Sequence, residues 1–76
     1  MNANRRKELE KVIALIKDAE GQLETLKDEE QEAFDNMPES LQYSEKGERM
    51  EEVISYLEDS FSDLGSAIEN ITSAIE

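Results

Sequence analysis

The strongest constraint on this chain is a repeat of apolar residues at alternating intervals of three and four. It runs from Leu9 to Met37 with only Glu30 interrupting it, and from Met50 to Ile75 without interruption. This spacing is typical of helices that present one seam to a partner helix, and no segment alternates as a strand would. The sequence therefore predicts two helices and no sheet. The predicted seam comprises Leu9, Val12, Ile16, Ala19, Leu23, Leu26, Glu30, Ala33 and Met37, then Met50, Ile54, Leu57, Phe61, Leu64, Ile68, Ile71 and Ile75.

A single proline separates the two runs. Pro38 lacks an amide hydrogen and disfavours helical geometry at Met37, so the first helix should end near Asn36. The segment from Pro38 to Leu41 can form one helical turn. Ser44 is then the predicted N-cap of the second helix, because its hydroxyl can accept from a free amide of the first turn.

These signals predict the layout of a single domain over residues 1–76. We expect the first helix over about 4–36, a turn over 37–43 and the second helix over about 44–75. At a rise of about 1.5 Å per residue, each helix is roughly 50 Å long. Helices of equal length joined by a short turn fold back on each other, so the expected fold is all-α, an antiparallel, coiled-coil-like helical hairpin.

A lone hairpin buries only one narrow interface, which is little for a chain of 76 residues. Apolar residues outside the predicted seam widen the apolar stripe on both helices. We therefore expect two hairpins to pair into a four-helix bundle, a homodimer; the alternative is a monomer that completes its core on a different protein. The candidate dimer face comprises Ile13, Leu15, Phe34, Val53, Ala67 and Ala74.

Composition excludes most catalytic chemistry. The chain has no cysteine and no histidine, so tetrahedral zinc, iron–sulfur and haem sites lack their ligands, and no Cys–His or Ser–His pair can form. We predict no enzyme activity, no catalytic residue, no cofactor and no metal site. No apolar run approaches the roughly 20 residues of a spanning helix, and cysteine usage gives no sign of an oxidising compartment, so the expected location is the cytoplasm.

The charge is strongly negative and unevenly distributed. The formal net charge is -12, and residues 18–59 alone hold fifteen acidic side chains against three basic ones. Phosphate backbones and anionic membranes bind through Lys and Arg, so neither direct nucleic-acid binding nor membrane binding is expected. The acidic surface either only keeps the bundle soluble or binds a partner with a basic surface. Its candidate residues are Asp28, Glu29, Glu32, Asp35, Glu48, Glu51, Glu52, Glu58 and Asp59.

The turn carries a resemblance to a known group of proteins. The segments DEEQEAFD (28–35) and NMPESLQYSEKG (36–47), with the opening NRRK (4–7), resemble short acidic helical proteins of phages, prophages and mobile elements of bacteria. The resemblance covers most of the chain, and the turn is its most specific part. It implies a small, largely uncharacterised accessory protein in a bacterial host, and it assigns no functional residue.

Three functions remain open from the sequence. The first is a non-enzymatic protein–protein interaction module that binds a host protein. The second is an acidic nucleic-acid mimic that inhibits a DNA- or RNA-binding enzyme, whose binding would weaken steeply with salt. The third is a bundle that sequesters a small ligand; an anionic ligand would need the one basic cluster, which comprises Arg5, Arg6, Lys7 and Lys11.

Overall fold

The computed structural model describes residues 1–76 as three helices. Helix α1 spans Ala3–Asp35, α2 spans Glu39–Gln42 and α3 spans Glu45–Ile75, with no strand. The two long helices pack against each other, and the short α2 packs against α3 at the turn. The all-α helical hairpin predicted from the periodicity is therefore confirmed.

Polar side chains cap both long helices at their N-termini. The Asn2 side-chain oxygen accepts a hydrogen bond of 2.8 Å from the Arg5 amide at the start of α1. At the start of α3, the Ser44 hydroxyl oxygen accepts from the Gly47 amide at 3.4 Å, so Ser44 is the N-cap that the sequence predicted. Each cap satisfies one backbone donor that has no partner within its helix.

Gln42 closes the turn by joining α2 to the end of α1. Its side-chain amide donates to the carbonyl oxygens of Phe34 at 3.0 Å and of Met37 at 3.2 Å. The Phe34 carbonyl also accepts from the Met37 amide, so Gln42 supplies a second donor there, at the end of α1 where Pro38 has no amide hydrogen to offer. The Gln42 side chain thus links α2 to the end of α1 across the chain reversal.

Gly47 is one of only two buried residues in the chain. A Cβ atom at this position would lie 2.6 Å from the Leu41 carbonyl oxygen and closer still to that of Gln42. The backbones of α2 and α3 can approach this closely only because Gly47 has no side chain. Nothing in the sequence pattern indicates this steric requirement.

The second helix packs through the predicted seam. Each of its eight seam residues is half-buried or buried, and Ile54 is the most enclosed apolar side chain at 6% exposure. An apolar residue at every step gives α3 a continuous stripe along its whole length. Nothing on this stripe departs from the predicted pattern.

The first helix packs through a stripe that shares Leu9, Ile16, Leu23 and Glu30 with the predicted seam and differs from it elsewhere. Val12 and Leu26, both placed in the seam, are 40% and 51% exposed, and Ala33 is exposed as well. The prediction was wrong there because it followed apolarity, whereas the packed stripe includes Glu20 and Lys27, whose aliphatic stems can lie against α3 while their charges reach water. The packed stripe comprises Leu9, Ile13, Ile16, Glu20, Leu23, Lys27, Glu30 and Phe34, all half-buried. Ala19, a predicted seam residue, and Gln31 are half-buried as well, one on each flank of this stripe.

The hairpin leaves a large surface for its mass. The accessible surface is 5678 Å², whereas a compact monomer of 8.7 kDa exposes about 4,700 Å². The radius of gyration is 17.3 Å, against about 11 Å for a compact chain of this length. The excess of roughly 900 Å² is close to the area that each partner contributes to a standard protein–protein interface.

Candidate interaction surfaces

The register of the hairpin decides which residues lie on each of its flat sides. The Glu20 carboxylate lies 3.5 Å from the position of a Cβ at Gly65, so residues whose numbers sum to about 85 stand opposite each other. Antiparallel helices are related by a two-fold axis normal to the plane that contains them. Residues in equivalent positions relative to the two seams therefore lie on the same side of the hairpin.

One side of the hairpin is apolar and built mainly of small residues. On each helix, this side is formed by the residues that immediately precede every second position of the packed stripe. In α1 those stripe positions are Ile13, Glu20, Lys27 and Phe34, and in α3 they are Ile54, Phe61, Ile68 and Ile75. We call this the apolar side. It comprises Val12, Ala19, Leu26 and Ala33 of α1 and Val53, Ser60, Ala67 and Ala74 of α3.

The opposite side of the hairpin is polar. Its equivalent rows hold five charged residues, and the other three positions are small or neutral. We call this the polar side. It comprises Glu10, Lys17, Glu24 and Gln31 of α1 and Glu51, Glu58, Gly65 and Thr72 of α3. The two flat sides of the same hairpin thus differ sharply, and only the apolar side is suited to packing on another helical pair.

Two further exposed residues extend the apolar side outward. Leu15 of α1 is 70% exposed and Tyr56 of α3 is 62% exposed. Each lies three residues after a member of the apolar side, Val12 and Val53 respectively, and so borders its row. Sequence reasoning included Leu15 in the dimer face and did not include Tyr56.

The structure divides the six candidate dimer-face residues between two surfaces. Val53, Ala67 and Ala74 belong to the apolar side, and Leu15 borders it. Ile13 and Phe34 instead lie in the half-buried stripe of α1, which faces α3. Val12 and Leu26, which the sequence placed in the seam, lie on the apolar side instead of Ile13 and Phe34.

All nine candidate acidic residues are exposed around the half of the hairpin nearest the turn, which we call the acidic end. None belongs to the apolar side; Glu29 alone borders it, three residues after Leu26. Asp28 pairs with Lys27 at 3.3 Å and Glu52 with Arg49 at 3.5 Å. The other seven carboxylates make no ion pair, so the negative potential of the acidic end is largely uncompensated.

The acidic charge opposes the dipole of α1. Its first turn contains no acidic residue and its last turn no basic residue; instead Arg5 and Arg6 lie near the positive N-terminus, and Glu32 and Asp35 near the negative C-terminus. Each such charge costs α1 a few tenths of a kcal/mol at low salt. The arrangement of charge at this end therefore does not serve the stability of α1.

Two apolar side chains stand exposed at the apex of the acidic end. Tyr43 is 78% exposed and Leu41 is 45% exposed, on and just after the short α2. The chain reversal turns this segment away from the seam, so neither side chain is enclosed between the long helices. We call Leu41 and Tyr43 the apex. Tyrosine is one of the residue types enriched in binding hot spots.

Glu30 is the one acidic residue of the predicted seam, and it is half-buried. It makes no hydrogen bond or ion pair, and no side-chain oxygen or nitrogen of the chain is buried without a partner. The Glu30 carboxylate therefore reaches solvent. A charge that stays hydrated costs little, which explains how the seam tolerates this residue.

The remaining features are a basic cluster and one hollow, which lie apart. The basic cluster of Arg5, Arg6, Lys7 and Lys11 is exposed, and Lys11 pairs with Glu8 at 3.1 Å. A shallow open hollow lies over Gly21 on the outer surface of α1, away from that cluster, and Leu26 is its one apolar lining residue. No group of three or more acidic side chains is arranged to hold a metal ion.

No helix of the hairpin combines the length and the apolarity needed to cross a bilayer. Comparison of the chain with protein-family models, with curated proteins and with solved structures finds no match. The apolar side and the acidic end with its apex are therefore the two surfaces of the hairpin suited to binding another molecule.

Proposed function

We propose that this protein is a non-enzymatic interaction module that dimerises through its apolar side into a four-helix bundle and binds a partner protein through its acidic end. The observation that carries the proposal is the separation of the two surfaces. The apolar side contains none of the nine acidic residues, so its burial in a dimer leaves the acidic end open.

Surface area and residue size support dimerisation. The excess accessible surface of roughly 900 Å² is close to the contribution of one subunit to a standard interface. Ala19, Ala33, Ala67 and Ala74 allow close approach of a second hairpin, and Leu26 and Val53 supply larger side chains to fill the space between them. A second copy would extend the core around a hairpin that has only one buried apolar side chain, Ile54.

A pair of adjacent variants tests the dimer. Leu26→Glu places a charge on the apolar side, while Thr25→Glu places the same charge on the outer surface of α1. Both residues are exposed in the hairpin, so both variants should remain helical. Light scattering should report a monomer for Leu26→Glu and a dimer for wild type and Thr25→Glu. Equal masses for all three proteins would contradict the proposed interface.

The acidic end and its apex support a partner that combines basic and apolar groups. Carboxylates without ion-pair partners steer a basic surface toward this end, and Tyr43 and Leu41 offer apolar area at its centre. The position of Glu32 and Asp35 at the C-terminus of α1 costs helix stability, which a basic partner would offset. The resemblance of the turn to phage and prophage proteins directs the search to bacterial host proteins.

A nucleic-acid mimic is the second candidate, favoured by the seven exposed carboxylates that have no cationic neighbour. The two candidates differ at the apex, because a phosphate backbone offers nothing equivalent to Tyr43 and Leu41. A mimic should bind independently of the apex and should lose affinity steeply as salt rises.

Capture from a bacterial lysate tests the choice of partner surface. Immobilised wild type is compared with Tyr43→Ser and with Tyr56→Ser, a change of the other phenol about 20 Å farther along the hairpin. A protein held by wild type and Tyr56→Ser at moderate salt, and lost with Tyr43→Ser, is the expected result. A protein that is captured equally by all three hairpins at low salt and by none at moderate salt would favour the nucleic-acid mimic instead.

A further inference from the structure

We infer that the two hairpins of the dimer pair in inverted orientation, so that the bundle carries one acidic end at each extremity. The inference rests on the proposed dimer and adds to it the direction of the second copy. It follows from how charge is distributed along the hairpin, and from the absence of any competing preference in residue size.

Charge divides the hairpin into two unequal halves. Residues 1–17 have a formal charge of +3 and residues 60–76 of -3, and the fold places these segments side by side, so the open end is neutral as a whole. The full -12 resides in residues 18–59. The long dimension of the molecule is 58 Å, so the centres of these two halves lie roughly half that length apart.

Residue sizes on the apolar side allow either direction. In the inverted pair, α1 packs on α1 of the second copy, and a register that aligns the ends sets Val12 against Ala33 and Ala19 against Leu26. In the same-direction pair, α1 packs on α3 of the second copy, and Val12 meets Ala74 while Leu26 meets Ser60. Both arrangements match larger side chains with smaller ones, so packing does not choose between them.

Charge favours the inverted pair over the same-direction pair. Packed helices lie about 8–10 Å apart, which is close to the Debye length of about 8 Å at physiological ionic strength. A same-direction dimer would therefore hold two regions of charge -12 within effective range of each other. The inverted dimer places much of each acidic end beside the neutral open end of the other copy and separates the centres of the two acidic ends by roughly half of the 58 Å length.

Inversion also defines how a partner is bound. The two apices would face in opposite directions at the two ends of the bundle, each within its own acidic rim. Such a dimer can bridge two partner molecules and cannot place both apices on one small partner. The inferred orientation thus predicts two independent sites per dimer.

Distances between spin labels test the orientation, because the chain has no cysteine to interfere. Ser40→Cys places a label at the turn and Ser73→Cys places one at the open end, both at exposed positions. A dimer in which both copies are labelled at position 40 should give a distance of about 50 Å, set by the 58 Å length. In a mixture of chains labelled at 40 with chains labelled at 73, the mixed dimers should add a distance of about 20 Å or less, set by the spacing of packed helices.

The possible results distinguish the inverted orientation from dimerisation itself. A short distance between labels at position 40, with a long one in the mixture, would establish a same-direction dimer and overturn the inference while leaving the proposed dimer intact. No dipolar coupling in either sample at concentrations well above those used in light scattering would overturn both. Light scattering of each labelled protein is the control that the labels themselves leave the mass unchanged.

Discussion

Helices α1 and α3 have nearly equal lengths, at 33 and 31 residues, but they use their apolar residues differently. In α3 the large aliphatic residues lie on one stripe, which packs on α1. In α1 they are divided: Ile13 and Phe34 pack on α3, whereas Leu15 and Leu26 face solvent. A helix that spreads apolar residues over two faces is suited to two neighbours, and the hairpin supplies only one.

The two helices also differ in how their charges meet their dipoles. The first turn of α3 contains Glu45 and Glu48, which stabilise its N-terminus. The ends of α1 carry charges of the unfavourable sign at both termini. Thus both the apolar stripe and the terminal charges of α3 fit an isolated hairpin, whereas α1 carries exposed apolar residues and unfavourable terminal charges that an isolated hairpin does not require.

The largest expected effect comes from placing a charge in the α3 stripe. Ile54→Asp puts an unpaired carboxylate at the most enclosed apolar position and should cost more than about 4 kcal/mol, enough to unfold a domain this small. Leu15→Asp on the exposed surface of α1 should cost less than about 1 kcal/mol. Thermal melts followed by circular dichroism, at a low protein concentration where the monomer dominates, check both. Equal losses would abolish the distinction between the helices.

Alanine substitutions at Gly47 and Gly21 should have opposite effects on the free energy of unfolding. Gly47→Ala forces a Cβ against the carbonyl oxygens of α2 and should destabilise the hairpin by about 2 kcal/mol. Gly21→Ala, in the middle of α1 with no atom within 4 Å of the new Cβ, should stabilise it by about 1 kcal/mol. Urea denaturation measures both changes. A neutral Gly47→Ala would show that α2 can move away from α3 at little cost.

Replacing a charge in the α1 stripe should make α1 resemble α3. Lys27 is 29% exposed and pairs only with its neighbour Asp28, an exposed interaction worth less than about 1 kcal/mol. Lys27→Leu adds apolar area against α3 and should stabilise the hairpin by about 1 kcal/mol. Lys17→Leu on the polar side should change stability little. If Lys17→Leu stabilised more than Lys27→Leu, the stripe of α1 would lie elsewhere.

The smallest effects test the dipoles. Glu32→Gln removes an unfavourable charge from the C-terminal turn of α1 and should stabilise the hairpin by about 0.5 kcal/mol at low ionic strength. Glu48→Gln removes a favourable charge from the first turn of α3 and should destabilise it by a similar amount. Urea denaturation in low and high salt measures both, because salt should reduce each difference. Changes of the same sign would show that net charge, not the dipole, governs both positions.

Much of the fold was predictable from the sequence because it depends on local rules. Pro38 and the apolar period predict where α1 ends and that two long helices fold back, and Ser44 is recognisable as a cap by its residue type. The stripe of α3 was also predictable, since every one of its positions is apolar. The acidic end follows from charge alone, once the hairpin is known.

The face of α1 was not predictable in the same way. Two overlapping stripes fit its sequence, and both contain Leu9, Ile16 and Leu23. The more apolar choice adds Val12 and Leu26, but the structure uses the stripe with Ile13, Phe34 and two charged residues. Apolarity alone misled because Lys and Glu have aliphatic stems that can cover a neighbouring helix.

The sequence by itself thus determined that the chain forms two long helices joined by a tight turn, with its charge concentrated near that turn, because helix length, breaks and charge are set by neighbours along the chain. Only the tertiary structure decided which side of α1 faces α3, why position 47 must be glycine, and that Leu41 and Tyr43 stand exposed. These depend on how two surfaces fit together, and residues distant in sequence determine that fit.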